Sequence, residues 1–189
     1  MVKLVISIIG FCIGVIGGKL AVDALFNDPE IAAFEESKWR NREYLGIKFE
    51  SPFELSEMEI EIPKFIKPFV KYMSTYEYEC KALCLAVSKS EYIEGIPTDI
   101  DGAVKGAMMN IRTNEDVRDL DYDAVPISRH YMEGRRITGK FKMKGKDAVI
   151  TAELYKSGSK LIQILWTGLD YPENMEVGKR IMQSIRITL

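Results

Sequence analysis

The chain has 189 residues, with 26 Lys and Arg against 28 Asp and Glu, a net charge of −2 and a single histidine. So even a balance supplies no field to draw the protein onto nucleic acid, which is excluded as a partner class. Three cysteines make no disulfide framework, and the chain beyond its apolar leader has the length of one domain with an ordinary core.

The leader is the first predicted element. Between Lys3 and Lys19 runs LVISIIGFCIGVIGG, uncharged and mostly apolar. As a helix it rises about 22 Å against a hydrocarbon thickness of about 30 Å. With both lysines reaching toward headgroups and the helix continuing to Val22, it spans a bilayer once. Cys12 follows Phe11 in the middle of the run, which excludes a lipoprotein signal. Val22-Asp23-Ala24 offers a cut after Ala24, the alternative in which the domain is secreted. The uncleaved anchor is preferred because Ser7, Gly10, Gly14 and Gly18 share one helix face, a small-residue groove that lets another helix approach closely in lipid. The expectation is a single-pass membrane protein with residues 1–26 as anchor and the domain outside the cytoplasm. The groove then serves self-association or pairing with a protein partner.

Residues 27–43 are expected to form a linker helix, capped by Asn27 or Asp28 with Pro29 in its first turn. The globular domain then covers 44–189. It opens with a strand over Leu45 to Phe49, stopped by Ser51-Pro52, and EIPKFIKPFVKYM with its two prolines predicts a short helix or irregular piece. Tyr76 to Val87 becomes apolar on both faces and predicts one central strand. On such a strand the Cα atoms of Cys80 and Cys84 stand about 13 Å apart on one face, too far for a disulfide. Asp99 or Asp101 caps a helix whose apolar positions are Val104, Ala107, Met108 and Ile111.

The stretch from Gly134 to Leu169 predicts a three-stranded meander. A turn at Gly145-Lys146 sets Lys144 opposite Asp147 and Phe141 opposite Ile150. A three-residue loop at Ser157-Gly158-Ser159 then sets Ile162, Ile164 and Trp166 opposite Leu154, Ala152 and Ile150, on the same core face. The chain closes with a helix over Met175 to Ser184, Val177, Ile181 and Met182 inward, and a strand from Ile185. The apolar residues left on the other sheet face call for cover there as well.

Few residues carry recognisable chemistry. His130 has no partner nucleophile or carboxylate at a telling spacing, which favours a solvated strand-end histidine. With Cys80 and Cys84 it makes at most three zinc ligands, short of a structural site. Asp119, Asp121 and Asp123 echo a calcium loop, but Ala124 and His130 stand where Gly and Glu are needed, so an acidic turn is expected. Arg136, Lys140, Lys142 and Lys144 form a basic stripe, the candidate face for an anionic partner. No catalytic residue, metal ligand or cofactor site is assigned.

Gly46-Ile47-Lys48-Phe49 with Pro52, Asp99-Ile100-Asp101-Gly102 and Ser184-Ile185-Arg186-Ile187, in this order around a long meander, resemble the PsbP-like fold. The resemblance covers about Tyr44 to Leu189. It implies an α+β (α/β) fold, a three-layer α/β/α sandwich around a mostly antiparallel sheet, preceded here by the hydrophobic helix. It also implies a binding or assembly module and no reaction; no cofactor is expected. The function expected is a non-enzymatic, membrane-anchored module for a protein partner. The alternative is a ligand-binding protein or hydrolase with a pocket between sheet and helices.

Overall fold

A computed structural model describes residues 38–188 apart from 61, 81 and 97. The anchor, its Ser7, Gly10, Gly14 and Gly18 face and the cleavage site near Ala24 lie outside the described residues, as does most of the linker helix. Among the described residues no helix is long and apolar enough to cross a membrane.

Strands begin earlier than expected. Residues 40–43, assigned to the linker helix, belong to β1 (Arg40–Tyr44), which pairs with β2 (Ile47–Ser51) through a two-residue turn. Leu45 and Gly46 both have positive φ, 57° and 83°. That geometry matches the twist of a tight hairpin, so Leu45 turns the chain where it was expected to start a strand. Gly46 cannot carry a side chain here, since its Cβ would meet the Thr188 carbonyl oxygen at 2.4 Å. β10 (Arg186–Ile187) joins the other side of β2, making a small sheet of order β1-β2-β10.

The large sheet has seven antiparallel strands in the order β3-β4-β5-β9-β8-β7-β6. They are β3 (Ser56–Met58), β4 (Val70–Cys80), β5 (Leu83–Tyr92), β6 (Val117–Arg129), β7 (Met132–Met143), β8 (Lys146–Ser157) and β9 (Lys160–Leu169). A 3-10 turn over Lys67–Phe69 precedes β4, as the prolines predicted.

Three expectations need correction. The predicted central strand is a hairpin: the chain reverses between Cys80 and Leu83, which oppose each other across β4 and β5. Cys84 is opposite Glu79, so the two cysteines point to opposite faces; both are free. The predicted acidic turn is part of β6, interrupted by a bulge between Arg118 and Asp121, with Asp119 at φ 55°. His130, by contrast, is the exposed strand-end residue expected, and with Tyr131, both at positive φ, it makes the β6–β7 turn.

The meander exists with other registers. The β7–β8 turn is Lys144-Gly145, at φ 45° and 82°, so Phe141 opposes Ala148 and Gly139 opposes Ile150. This is a two-residue slip from the expected pairing, and it keeps every side chain on its predicted face. Between β8 and β9 the turn is Gly158-Ser159, and Glu153 opposes Ile164 while Thr151 opposes Trp166. Here the slip is one residue. Ile162, Ile164 and Trp166 therefore lie on the face opposite the predicted one.

Each face of the large sheet carries a helix. Helix α1 (Ile100–Thr113) packs with Ile137, Phe141, Ile150, Ala152 and Leu161 on one side. Its amino terminus is fixed by Asp99, whose carboxylate accepts from the amides of Asp101 and Gly102. Helix α2 (Pro172–Ser184) and the small sheet cover the other side, burying Ile47, Phe49, Leu85, Ile164 and Trp166 with Val177 and Ile181. The architecture is α+β, a mostly antiparallel sheet with two helices.

Candidate functional site

The α2 face of the sheet is only partly roofed. α2 lies over β9 and β2, and beyond it Arg136, Thr138 and Lys140 of β7 are exposed, while Val149, Glu153 and Tyr155 of β8 are buried. Along that line a cleft of about 360 Å³ opens, walled by Met175, Glu176, Gly178, Lys179, Met182 and Gln183 of α2. Its floor is Trp166 of β9, Thr151 of β8 and Arg136 of β7.

Gly178 sets the depth of this cleft. A Cβ there would come within 2.5 Å of Trp166 Cδ2 and 2.6 Å of Cε2, so the helix backbone rests directly on the indole. Trp166 is buried, yet its Nε1 has no hydrogen-bond acceptor among the described residues. An indole N–H donates only, and a buried donor without an acceptor costs free energy.

Arg136 reaches the cleft from a charged network inside the domain. Glu153, fully buried, accepts at Oε1 from Arg136 Nε (2.9 Å) and Nη2 (2.6 Å). Its Oε2 accepts from the Tyr155 hydroxyl (2.5 Å) and pairs with Arg129 Nη2 (3.4 Å). Arg129 also donates Nε to the Tyr155 oxygen (3.0 Å) and Nη1 to the carbonyl of Ile185, the residue that ends α2. A cation at that helix terminus is favourable against the dipole. Burial, and then the bond to Glu153, push the Tyr155 hydroxyl well above the usual tyrosine range. Two arginines surround one carboxylate, so the network carries one net positive charge. It binds β6, β7 and β8 to the end of α2.

The predicted basic stripe is laid out differently from a free cationic face. Lys142 pairs with Asp147 at 2.8 Å, Lys140 with Asp170 at 3.6 Å and Lys144 with Asp116 at 3.6 Å. Arg136, half-exposed, is the member that lines the cleft. Across β6, Asp121 and Asp123 stand opposite Lys140 and Thr138. Among the described residues no three His, Cys, Asp or Glu side chains gather in a metal-ligating arrangement.

Glu153, Arg129, Trp166 and Gly178 were not predicted as site residues. The signal for Glu153 was present, since it shares a face with Arg136, but the expected register set Arg136 opposite Tyr155. The observed pairing puts Arg136 directly opposite Glu153.

No protein-family model matches the sequence, and no curated protein matches it. Among solved structures, cyanobacterial PsbP (CyanoP) from Synechocystis sp. PCC 6803 superposes with a TM-score of 0.53 at 12% identity, over 87% of this chain and 99% of that one. The chain has the PsbP-like fold. Weaker likenesses are to LpqN, involved in cell envelope biogenesis of Mycobacterium tuberculosis (TM-score 0.48, 12% identity, 76% and 83% of the two chains), and to a protein of unknown function from Pseudomonas aeruginosa, a putative regulator (0.44, 11%, 80% and 98%). At these identities the PsbP-like fold fixes the architecture, and the function has to come from the site.

Proposed function

We propose that the chain is a non-enzymatic binding or assembly module, tethered to a membrane by its amino-terminal apolar segment with the domain outside the cytoplasm. Its protein partner docks in the α2 cleft. The observation that carries this reading is the cleft itself, where two methionines and an indole adjoin Arg136 at the exposed face of β7. Flexible apolar side chains beside a few fixed polar groups suit a protein contact. The apolar run from Leu4 to Gly18 supports the tether.

The test places a photo-crosslinking benzoylphenylalanine at Met175 in the full chain, expressed in its own membranes. The control site is Met109, which is exposed on α1 at the opposite face of the sheet. One discrete adduct from position 175 and none from 109 is the expected result. Adducts of equal strength from both sites, or none from 175, would overturn the docking reading. The tether is checked by fractionation, and a domain released by salt alone overturns it.

A further inference from the structure

We infer that the α2 cleft recognises a carboxylate flanked by apolar side chains on an extended segment of a partner protein, with Arg136 as the charged anchor. This rests on the cleft being the docking site proposed above.

The charged group on the floor is a donor, and beside it the Thr151 hydroxyl both donates and accepts. A guanidinium carries five N–H bonds. Glu153 takes Nε–H and one from Nη2, and Nη1 has no acceptor among the described residues. The Arg136 side chain is 45% exposed, while the carboxylate that holds it is fully buried. The guanidinium is therefore locked in place from below and offers its outer N–H groups to the cleft. This is pre-organised acceptor recognition, which costs little side-chain ordering on binding.

Trp166 adds a second donor without an acceptor. The indole is buried, so a ligand reaches it only by displacing Met175 or Met182, unbranched side chains that share the cleft. Lys179 on the wall is ion-paired with Glu176 at 3.5 Å and the two charges cancel, which leaves the Arg136–Glu153–Arg129 network as the net positive charge at the cleft. The ligand must therefore supply acceptors and a negative charge at the Arg136 end and apolar bulk at the methionine end. An Asp or Glu side chain next to Leu, Ile or Met in an extended segment meets both conditions.

The experiment titrates the full chain in detergent with an acetylated Leu-Asp-Leu amide and its Leu-Asn-Leu counterpart. The readout is the indole N–H resonance of Trp166, assigned by its survival in Trp39→Phe. Saturable movement with the Asp peptide, about tenfold weaker with the Asn peptide, is expected. Lys179→Glu, an exposed change that leaves the Glu153 network whole, weakens the Asp peptide further, and Arg136→Lys weakens it while keeping a cation on Glu153. Equal response to both peptides, or no movement at millimolar peptide, overturns the inference. If the Met175 crosslink persists in that case, docking stands and only the carboxylate chemistry falls. If both fail, the docking reading falls with it.

Discussion

Gly178 lies flat against the Trp166 indole, with room for no atom between the helix backbone and the ring. The contact sets both how closely α2 approaches the sheet and how deep the cleft is. Gly178→Ala gains helix propensity but forces the helix off the ring, and overpacking of this kind costs about 1–3 kcal/mol. A net loss of about 1–2 kcal/mol in urea unfolding is expected, with a change in tryptophan emission. Unchanged stability would mean that α2 shifts freely.

Glu153 and Arg136 form the shortest ion pair at the cleft, at 2.6 Å. Removing Arg136 leaves a fully buried carboxylate with only Arg129 and Tyr155 to hold it, and because Arg136 is half-exposed the cost falls below the about 3–5 kcal/mol of a fully buried pair. Arg136→Met is therefore expected to unfold at markedly lower denaturant, and Arg136→Met with Glu153→Gln to recover most of the loss. Additive single-mutant effects in that cycle would show that the two side chains are not coupled.

Glu77 gives a pH-dependent prediction. Partial burial, and then the neighbouring Glu79, raise its carboxyl above the usual range, and its Oε2 has no hydrogen-bond partner. A folded-state value above the unfolded one makes its contribution to stability complete below the unfolded pKa of about 4.3 and lost as pH rises through the folded value. Ionised Glu77 is thus a liability at neutral pH. Glu77→Gln is expected to raise the melting temperature at pH 7, and the gain to vanish at about pH 4 and below. A gain independent of pH would point to packing instead.

How far the sequence reached depends on how many faces of an element are buried. The alternation along β7 placed Arg136 and the lysines on one side and Ile137, Phe141 and Met143 on the other, and a two-residue slip could not disturb that. β9 had no such protection. Leu161, Ile162, Ile164, Leu165 and Trp166 give apolar residues to both faces, so pattern alone accepts either register. The hairpin at β4–β5 escaped notice for a related reason. Lys81-Ala82 has none of the residues that mark a turn, and the flanking segments are apolar enough to read as one strand.

By itself the sequence determined the local structure that local chemistry dictates. Asp99 starts α1 because its carboxylate meets the first free amides. The Val177, Ile181 and Met182 spacing makes α2 one-sided, and Gly46, Gly145 and Gly158 accept the positive φ that three tight turns require. Only the tertiary structure decided which strands neighbour each other, that Trp166 faces α2, and that Arg136 meets Glu153 at the cleft's edge. Those outcomes depend on contacts between segments distant in sequence, where packing on two covered faces sets the register and a buried charge finds its partner across strands.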